Sequence, residues 1–310
     1  MIPTLWMMAT VAAFALGAND GANPTAAAVG AGLLRPRGAR ILAALAGGTG
    51  AWLAGDRVAG TLARELVPFH ALASQEAQEL AVVALAAASL WVLAATAMGL
   101  PVSTSHALVG ALTGAALREG AAPVDLGVLG AIAGSWIWVP VGAAGAGALA
   151  ALAGRLPGTR RVQGALAPLV RACSAWIAFW WGANDVANAV ALAAQVGGAG
   201  WAPAMVLGAA CLAAGAYWGS GRVLATMASG LGPVGAPEAL AVQGSVALAL
   251  AAATLMGYPV STTHAVVSAL AGVLRARGKP VNVRQVARVA AAWLLTAPAA
   301  GLLGWLLGGI

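Results

Sequence analysis

ATAMGLPVSTSHALVGAL at positions 95–112 returns as ATLMGYPVSTTHAVVSAL at 253–270, with thirteen of eighteen positions identical. A second pair keeps the same order: GANDGAN at 17–23 returns as GANDVAN at 182–188, with six of seven positions identical. Two motifs repeated in one order at similar offsets describe a duplicated unit. The repeated residues are polar, and they stand in an apolar background.

That background sets the class. Hydrophobic residues make up 61% of the 310 positions and charged residues only 8%. Apolar stretches of about 20 residues, enough to cross a bilayer, follow one another along the chain. They lie near 3–33, 39–55, 76–98, 101–118, 125–153, 172–197, 202–220, 238–257, 259–274 and 285–308. The expectation is an all-α integral membrane protein of about ten segments. Five per half is an odd number, so the second copy enters from the opposite side and the two form inverted-topology repeats. The predicted boundaries are 1–154 for the first repeat, 155–170 for a basic cytoplasmic connection and 171–310 for the second repeat.

Loop charges give an independent orientation. With the N-terminus outside, the cytoplasmic side receives Arg35, Arg37, Arg40, Arg155, Arg160, Arg161, Arg171, Arg275, Arg277, Lys279, Arg284 and Arg288, twelve of the sixteen basic residues. The outer loops hold Asp56, Arg57, Arg64, Glu65, Glu76, Glu79, Arg118, Glu119 and Asp125, a net acidic set. Both termini are therefore predicted outside, in a multi-pass protein of the cell membrane. The net charge of +7 reads as a topology signal, with attraction to anionic lipid, and needs no nucleic-acid partner.

Of nine acidic residues, only Asp20 and Asp185 fall within apolar segments, at equivalent places in the two copies. A carboxylate there is costly and marks function unless it merely bonds a neighbouring helix; the duplication favours function. Asp20 and Asn23, like Asp185 and Asn188, are three apart and share a helix face, which makes an oxygen-rich set suited to a small cation. Pro24 has no N–H to give the Asp20 carbonyl four residues back, which frees a further oxygen. Gly17 and Gly21 permit either close packing or unwinding. Val186 and Ala189 make the second copy the less broken one.

The longer motif reads as helix, stop, restart. Gly99 and Pro101 interrupt one run, and Gly257 and Pro259 the other. Ser103, Thr104 and Ser105, and likewise Ser261, Thr262 and Thr263, bring hydroxyls to the start of a new helix, whose free N–H groups attract anions. If each pair of segments around the proline forms a re-entrant hairpin, both helix starts meet near the bilayer midplane. The competing reading of a simple kink loses weight because the pattern is duplicated beside the buried carboxylates. His106 and His264 follow the hydroxyls and serve either an oxyanion or proton, or a bond between helices. Thr96 and Thr254 repeat with the same ambiguity, whereas Gln78, Gln195 and Gln243 have no twin. Cys173 and Cys211 have no metal-ligand spacing and read as packing residues. The first 16 residues lack a basic flank and belong to the first helix.

Duplicated GAND and PVST(S/T)H elements in this arrangement resemble the inorganic phosphate transporter family of cation-coupled carriers, over nearly the whole chain. The resemblance implies import of inorganic phosphate driven by sodium or protons, with no cofactor, and a homodimer. It groups Asp20, Asp185, Asn19 and Asn184 as cation ligands, with sodium at the two aspartates. It groups Ser103, Thr104, Ser105, Ser261, Thr262, Thr263, Asn23 and Asn188 as phosphate ligands, with His106, His264, Thr96 and Thr254 behind them. Family members often carry a glutamate in the helix after each GAND segment; LAGGTGAWLAG at 45–55 and AACLAAGAYWG at 209–219 contain no acid.

Phosphate beside two aspartates is repelled unless cations or protons neutralise them, so coupling follows from the charges. Sulfate carriers share the architecture and give the alternative substrate. An anion channel would not need the buried carboxylates, and an enzyme would need an acid to orient the Ser103 and His106 pair.

Overall fold

The computed structural model describes residues 1–120, 124–154, 165–198 and 200–309. Arg155, Arg160 and Arg161 of the basic connection, and the side chains of Arg57 and Arg64, lie outside what it describes. The described residues form helices and connecting turns, without strands. In chain order the helices are α1 (Ile2–Asp20), α2 (Ala26–Gly30), α3 (Pro36–Ala54), α4 (Asp56–Gly60), α5 (Ser74–Ala97), α6 (Thr104–Glu119) and α7 (Leu126–Ala153). The second half adds α8 (Leu166–Val196), α9 (Trp201–Trp218), α10 (Gly221–Gly230), α11 (Ala236–Leu255), α12 (Thr262–Ala276) and α13 (Val283–Leu307).

Six helical stretches are long and apolar enough to cross a bilayer: Ile2–Gly30, α5, α7, α9, α11 and α13. The chain is a multi-pass membrane protein. With 16 and 15 residues, α6 and α12 are shorter. At about 1.5 Å per residue they reach roughly 24 and 22 Å, less than the ~30 Å hydrocarbon core.

The two GAND segments differ as their residues dictate. In the first, α1 stops at Asp20, a tight 3-10 turn covers Asn23–Thr25, and α2 restarts at Ala26. Val186 and Ala189 replace Gly21 and Pro24 in the second, and α8 runs through without a break.

The four most extensive helix contacts pair α6 with α13, α7 with α12, α3 with α8 and α1 with α9. Each joins one half of the chain to the other. Small residues allow the approach, as expected where lipid tails give helices no hydrophobic reason to associate. A methyl group at Gly17 would strike the Leu212 carbonyl, one at Gly182 the Gly47 backbone, one at Gly114 the Gly301 carbonyl and one at Gly272 the Ala144 carbonyl. The glycines of the GAND motifs are thus packing residues, and only the first copy is also unwound.

Two short stretches fill the gaps between apolar runs. Thr61, in a wide helical turn over Thr61–Leu66, donates to the Gly257 carbonyl at 2.9 Å. Arg222 of α10 donates to the Ala97 carbonyl at 2.9 Å. Each half therefore holds the interrupted helix of the other.

Candidate functional site

The MGLP and MGYP sequences turn the chain back on itself. Gly99 (φ 67°) and Gly257 (φ 80°) take the left-handed conformation that closes a helix end. The next N–H groups return to the last turn, Leu100 to the Ala95 carbonyl at 2.9 Å and Tyr258 to that of Ala253 at 3.1 Å. After the proline, Ser103 caps α6 by accepting from the His106 N–H at 3.3 Å, and Ser261 caps α12 by accepting from that of His264 at 3.2 Å. The Ser103 hydroxyl also bonds the His106 ring at Nδ1.

Each turn is braced by an asparagine of its own half. Asn19 accepts from the Val102 N–H at 3.1 Å and donates to Thr96 Oγ1 at 2.8 Å and the Leu100 carbonyl at 3.1 Å. Asn184 accepts from the Val260 N–H at 3.1 Å and donates to Thr254 Oγ1 at 3.0 Å and the Tyr258 carbonyl at 2.9 Å. Sequence reading offers Asn19 and Asn184 as cation ligands. In the structure both amides are committed to the turns, with Thr96 and Thr254 as their partners.

The motifs then cross between halves. Asn23 donates to Thr263 Oγ1 at 2.7 Å, and Thr263 lies 3.1 Å from the Val102 carbonyl. In mirrored fashion Asn188 donates to Ser105 Oγ at 3.1 Å, and Ser105 donates to the Val260 carbonyl at 3.2 Å. The rings of His106 and His264 approach to 4.6 Å between centroids, so the starts of α6 and α12 are side by side. Trp136 stacks on His106 at 3.5 Å and donates to the Pro259 carbonyl at 3.1 Å, while Trp293 lies 3.9 Å from His264.

The carboxylates lie where these elements meet. Asp20 Oδ1 accepts from Asn23 and Thr263, each at 3.0 Å, and Oδ2 from Thr104 at 2.7 Å. Asp185 Oδ2 accepts from the Trp181 indole N–H at 2.7 Å, and Thr104 Oγ1 is 3.3 Å away. One hydroxyl carries one proton, so Thr104 serves one aspartate at a time. Asp20 is 2% exposed, Asp185 0% and Thr104 1%, so this junction is sealed from water.

Asn23 Oδ1, Asp185 Oδ1, Asn188 Oδ1 and Thr262 Oγ1 are buried without a hydrogen-bond partner. Three of these are pure acceptors, which a cation satisfies and an anion does not. For an anion the junction offers backbone N–H groups in the first turns of α6 and α12 together with the Thr262 hydroxyl. The unbonded pure acceptors thus belong to the GAND segments and the helix-start donors to the hairpin segments, which Asn23 with Thr263 and Asn188 with Ser105 join.

Comparison with known proteins agrees with the architecture. The sequence model of the Phosphate transporter family matches residues 16–162 and again 153–304. The chain belongs to that family. A Pyrococcus abyssi protein provisionally named a phosphate permease is 28% identical, with 96% of each chain covered. One from Mycobacterium bovis, provisionally named a low-affinity inorganic phosphate transporter, is 31% identical over 94% of this chain and 73% of the other. A solved structure titled "The sodium-dependent phosphate transporter" has the same fold at a TM-score of 0.88, with 24% identity, 99% of this chain and 98% of that one. Family members are transporters, and the enzyme reading of Ser103 and His106 ends here.

Two contributors escape a reading guided by repetition. Gln243 donates to the Pro24 carbonyl and to Ser174 Oγ, both at 2.6 Å, and so ties the unwound segment to α8 and α11. Trp181 holds Asp185. Neither has a twin in the other half. The spacing of four residues between Trp181 and Asp185 is the signal that the sequence does carry.

Proposed function

We propose that the protein imports inorganic phosphate across the cell membrane as a cation-coupled secondary transporter, with sodium the first choice as coupling ion and the proton the second. The observation that carries this reading is the sealed junction at which the starts of α6 and α12 meet both aspartates, joined there by Asn23 and Asn188, whose oxygens, like Asp185 Oδ1, are buried and unbonded. Phosphate takes the helix-start N–H groups with Ser103, Thr104, Ser105, Ser261, Thr262, Thr263, Asn23 and Asn188 around it. Asp20 and Asp185 take the cations, and Asn19 and Asn184 hold the turns that carry the hydroxyls. Unbonded amide oxygens favour sodium, because a proton needs one acceptor and a metal cation gathers several.

Alternating access follows from two inverted repeats, 1–154 and 171–310, joined by the basic connection at 155–170. The mirrored bonds of Asn23 and Asn188 and the exchange of helix partners between halves support that symmetry. The shortness of α6 and α12 supports hairpins that turn back within the bilayer. The loop charges favour termini outside and basic loops in the cytoplasm.

The test is uptake of labelled phosphate into proteoliposomes, with sodium and proton gradients imposed separately and unlabelled sulfate as competitor. Accumulation driven by one gradient and resistant to sulfate is expected. Equilibration without accumulation would mean a channel or uniporter, and strong suppression by sulfate would move the assignment to another oxyanion.

A further inference from the structure

We infer that Trp181 is a positioning residue that makes the two aspartates unequal and confines the coupling cation at Asp185 to the Oδ1 oxygen. The inference rests on the assignment of Asp185 to the cation. The indole is fully buried and its Nε1 lies 2.7 Å from Asp185 Oδ2, one helical turn along α8. An indole N–H donates and cannot accept, so it is no ligand for a cation, and it opposes a cation or a proton on the oxygen it faces. Thr104 approaches the same Oδ2 at 3.3 Å. Oδ1 is left unbonded, as is Oδ1 of Asn188 on the same face of α8. Trp181 thereby fixes the plane of the carboxylate and leaves one oxygen without a donor, on the face of α8 that also carries Asn188.

The first half lacks this arrangement. Leu16 stands four residues before Asp20, where Trp181 stands before Asp185, and both Asp20 oxygens are held by Asn23, Thr263 and Thr104. The indole fits because Gly47 of α3 has no side chain: a methyl there would come within 2.5 Å of Trp181 Cζ3 and 2.9 Å of Cε3. The missing side chain on one helix makes room for the ring that orients a carboxylate on another.

The test varies the cation that drives uptake in the unmodified protein, at saturating phosphate, in proteoliposomes carrying W181F, W181Q or G47A. A glutamine donor reaches an aspartate four residues on. W181F is expected to raise the half-saturating cation concentration about tenfold, the scale of one hydrogen bond to a charged group. W181Q should bring it back toward the original value, and G47A should shift it in the same direction as W181F by displacing the indole. Half-saturating phosphate at saturating cation should change less than twofold, which a general loss of packing would not spare. An unchanged cation requirement in W181F, or equal shifts in W181F and W181Q, overturns the inference; if W181F does not fold, an unchanged requirement in G47A does so. D185N in parallel separates the two readings: coupled uptake in D185N removes the cation assignment itself, whereas its loss beside an unaltered W181F removes only the role of Trp181.

Discussion

Asn188 donates to Ser105 Oγ at 3.1 Å, a bond between the second copy of one repeated motif and the first copy of the other. Asn23 and Thr263 repeat it at 2.7 Å from the opposite halves. Residues in direct contact are not independent, so N188A and S105A should be non-additive. A double-mutant cycle on phosphate affinity is expected to give a coupling of about 0.5–3 kcal/mol, and additivity would place the two residues in separate roles.

The aspartates differ in how much the protein already satisfies them. Asp20 accepts three hydrogen bonds, while Asp185 has one oxygen unbonded. Both D20N and D185N are expected to abolish gradient-driven accumulation. D20N should also lower thermal stability more, because it replaces charge-assisted bonds to Asn23, Thr263 and Thr104 by neutral ones and sets an amide N–H against one present donor, at roughly 1.5–3 kcal/mol for each charged bond lost. Melting curves of the purified variants, run beside the uptake assay, check both halves of this statement.

Removal of a turn brace leaves a buried backbone group unpaired. In N19A the Val102 N–H loses its acceptor, and in N184A the Val260 N–H loses its own. Each should cost about 1–3 kcal/mol for the stranded group alone and slow phosphate uptake. If Asn19 were a cation ligand with no bracing role, N19A would shift cation dependence without loss of stability.

Gly99 and Gly257 turn the chain at φ 67° and 80°. Alanine at either is expected to cost about 1–2 kcal/mol from the left-handed backbone alone. Because each glycine precedes a helix start, G99A and G257A should both weaken phosphate binding, measured by titration of the detergent-solubilised protein.

The sequence reveals the site through its polar exceptions. In a chain this apolar, Asp20, Asp185 and the serine and threonine clusters stand out by composition alone, and Gly99 with Pro101 and Ser103 spells a helix end followed by a helix start. The break at Pro24 and the continuity at Ala189 are equally legible, because each depends on a residue and its near neighbours. Bonds that span the fold are not. Nothing near Asn19 in sequence indicates that its amide holds Val102, and nothing near Trp181 announces the gap at Gly47. Nor does an apolar run reveal its partner: the pairing of α6 with α13 and α7 with α12 depends on which small residues face one another across the halves.

The closed junction has a consequence for the direction of traffic. A carrier must return after release, and an unloaded pair of carboxylates in a bilayer resists that return unless something replaces the lost cations. Here Thr104, Thr263, Asn23 and Trp181 supply donors to both aspartates within a shut interior. If the protein is the carrier proposed above, these donors lower the cost of an empty return, and uptake is expected to proceed without phosphate on the far side. Uptake into vesicles loaded with and without phosphate would then tell a net importer from an obligatory exchanger.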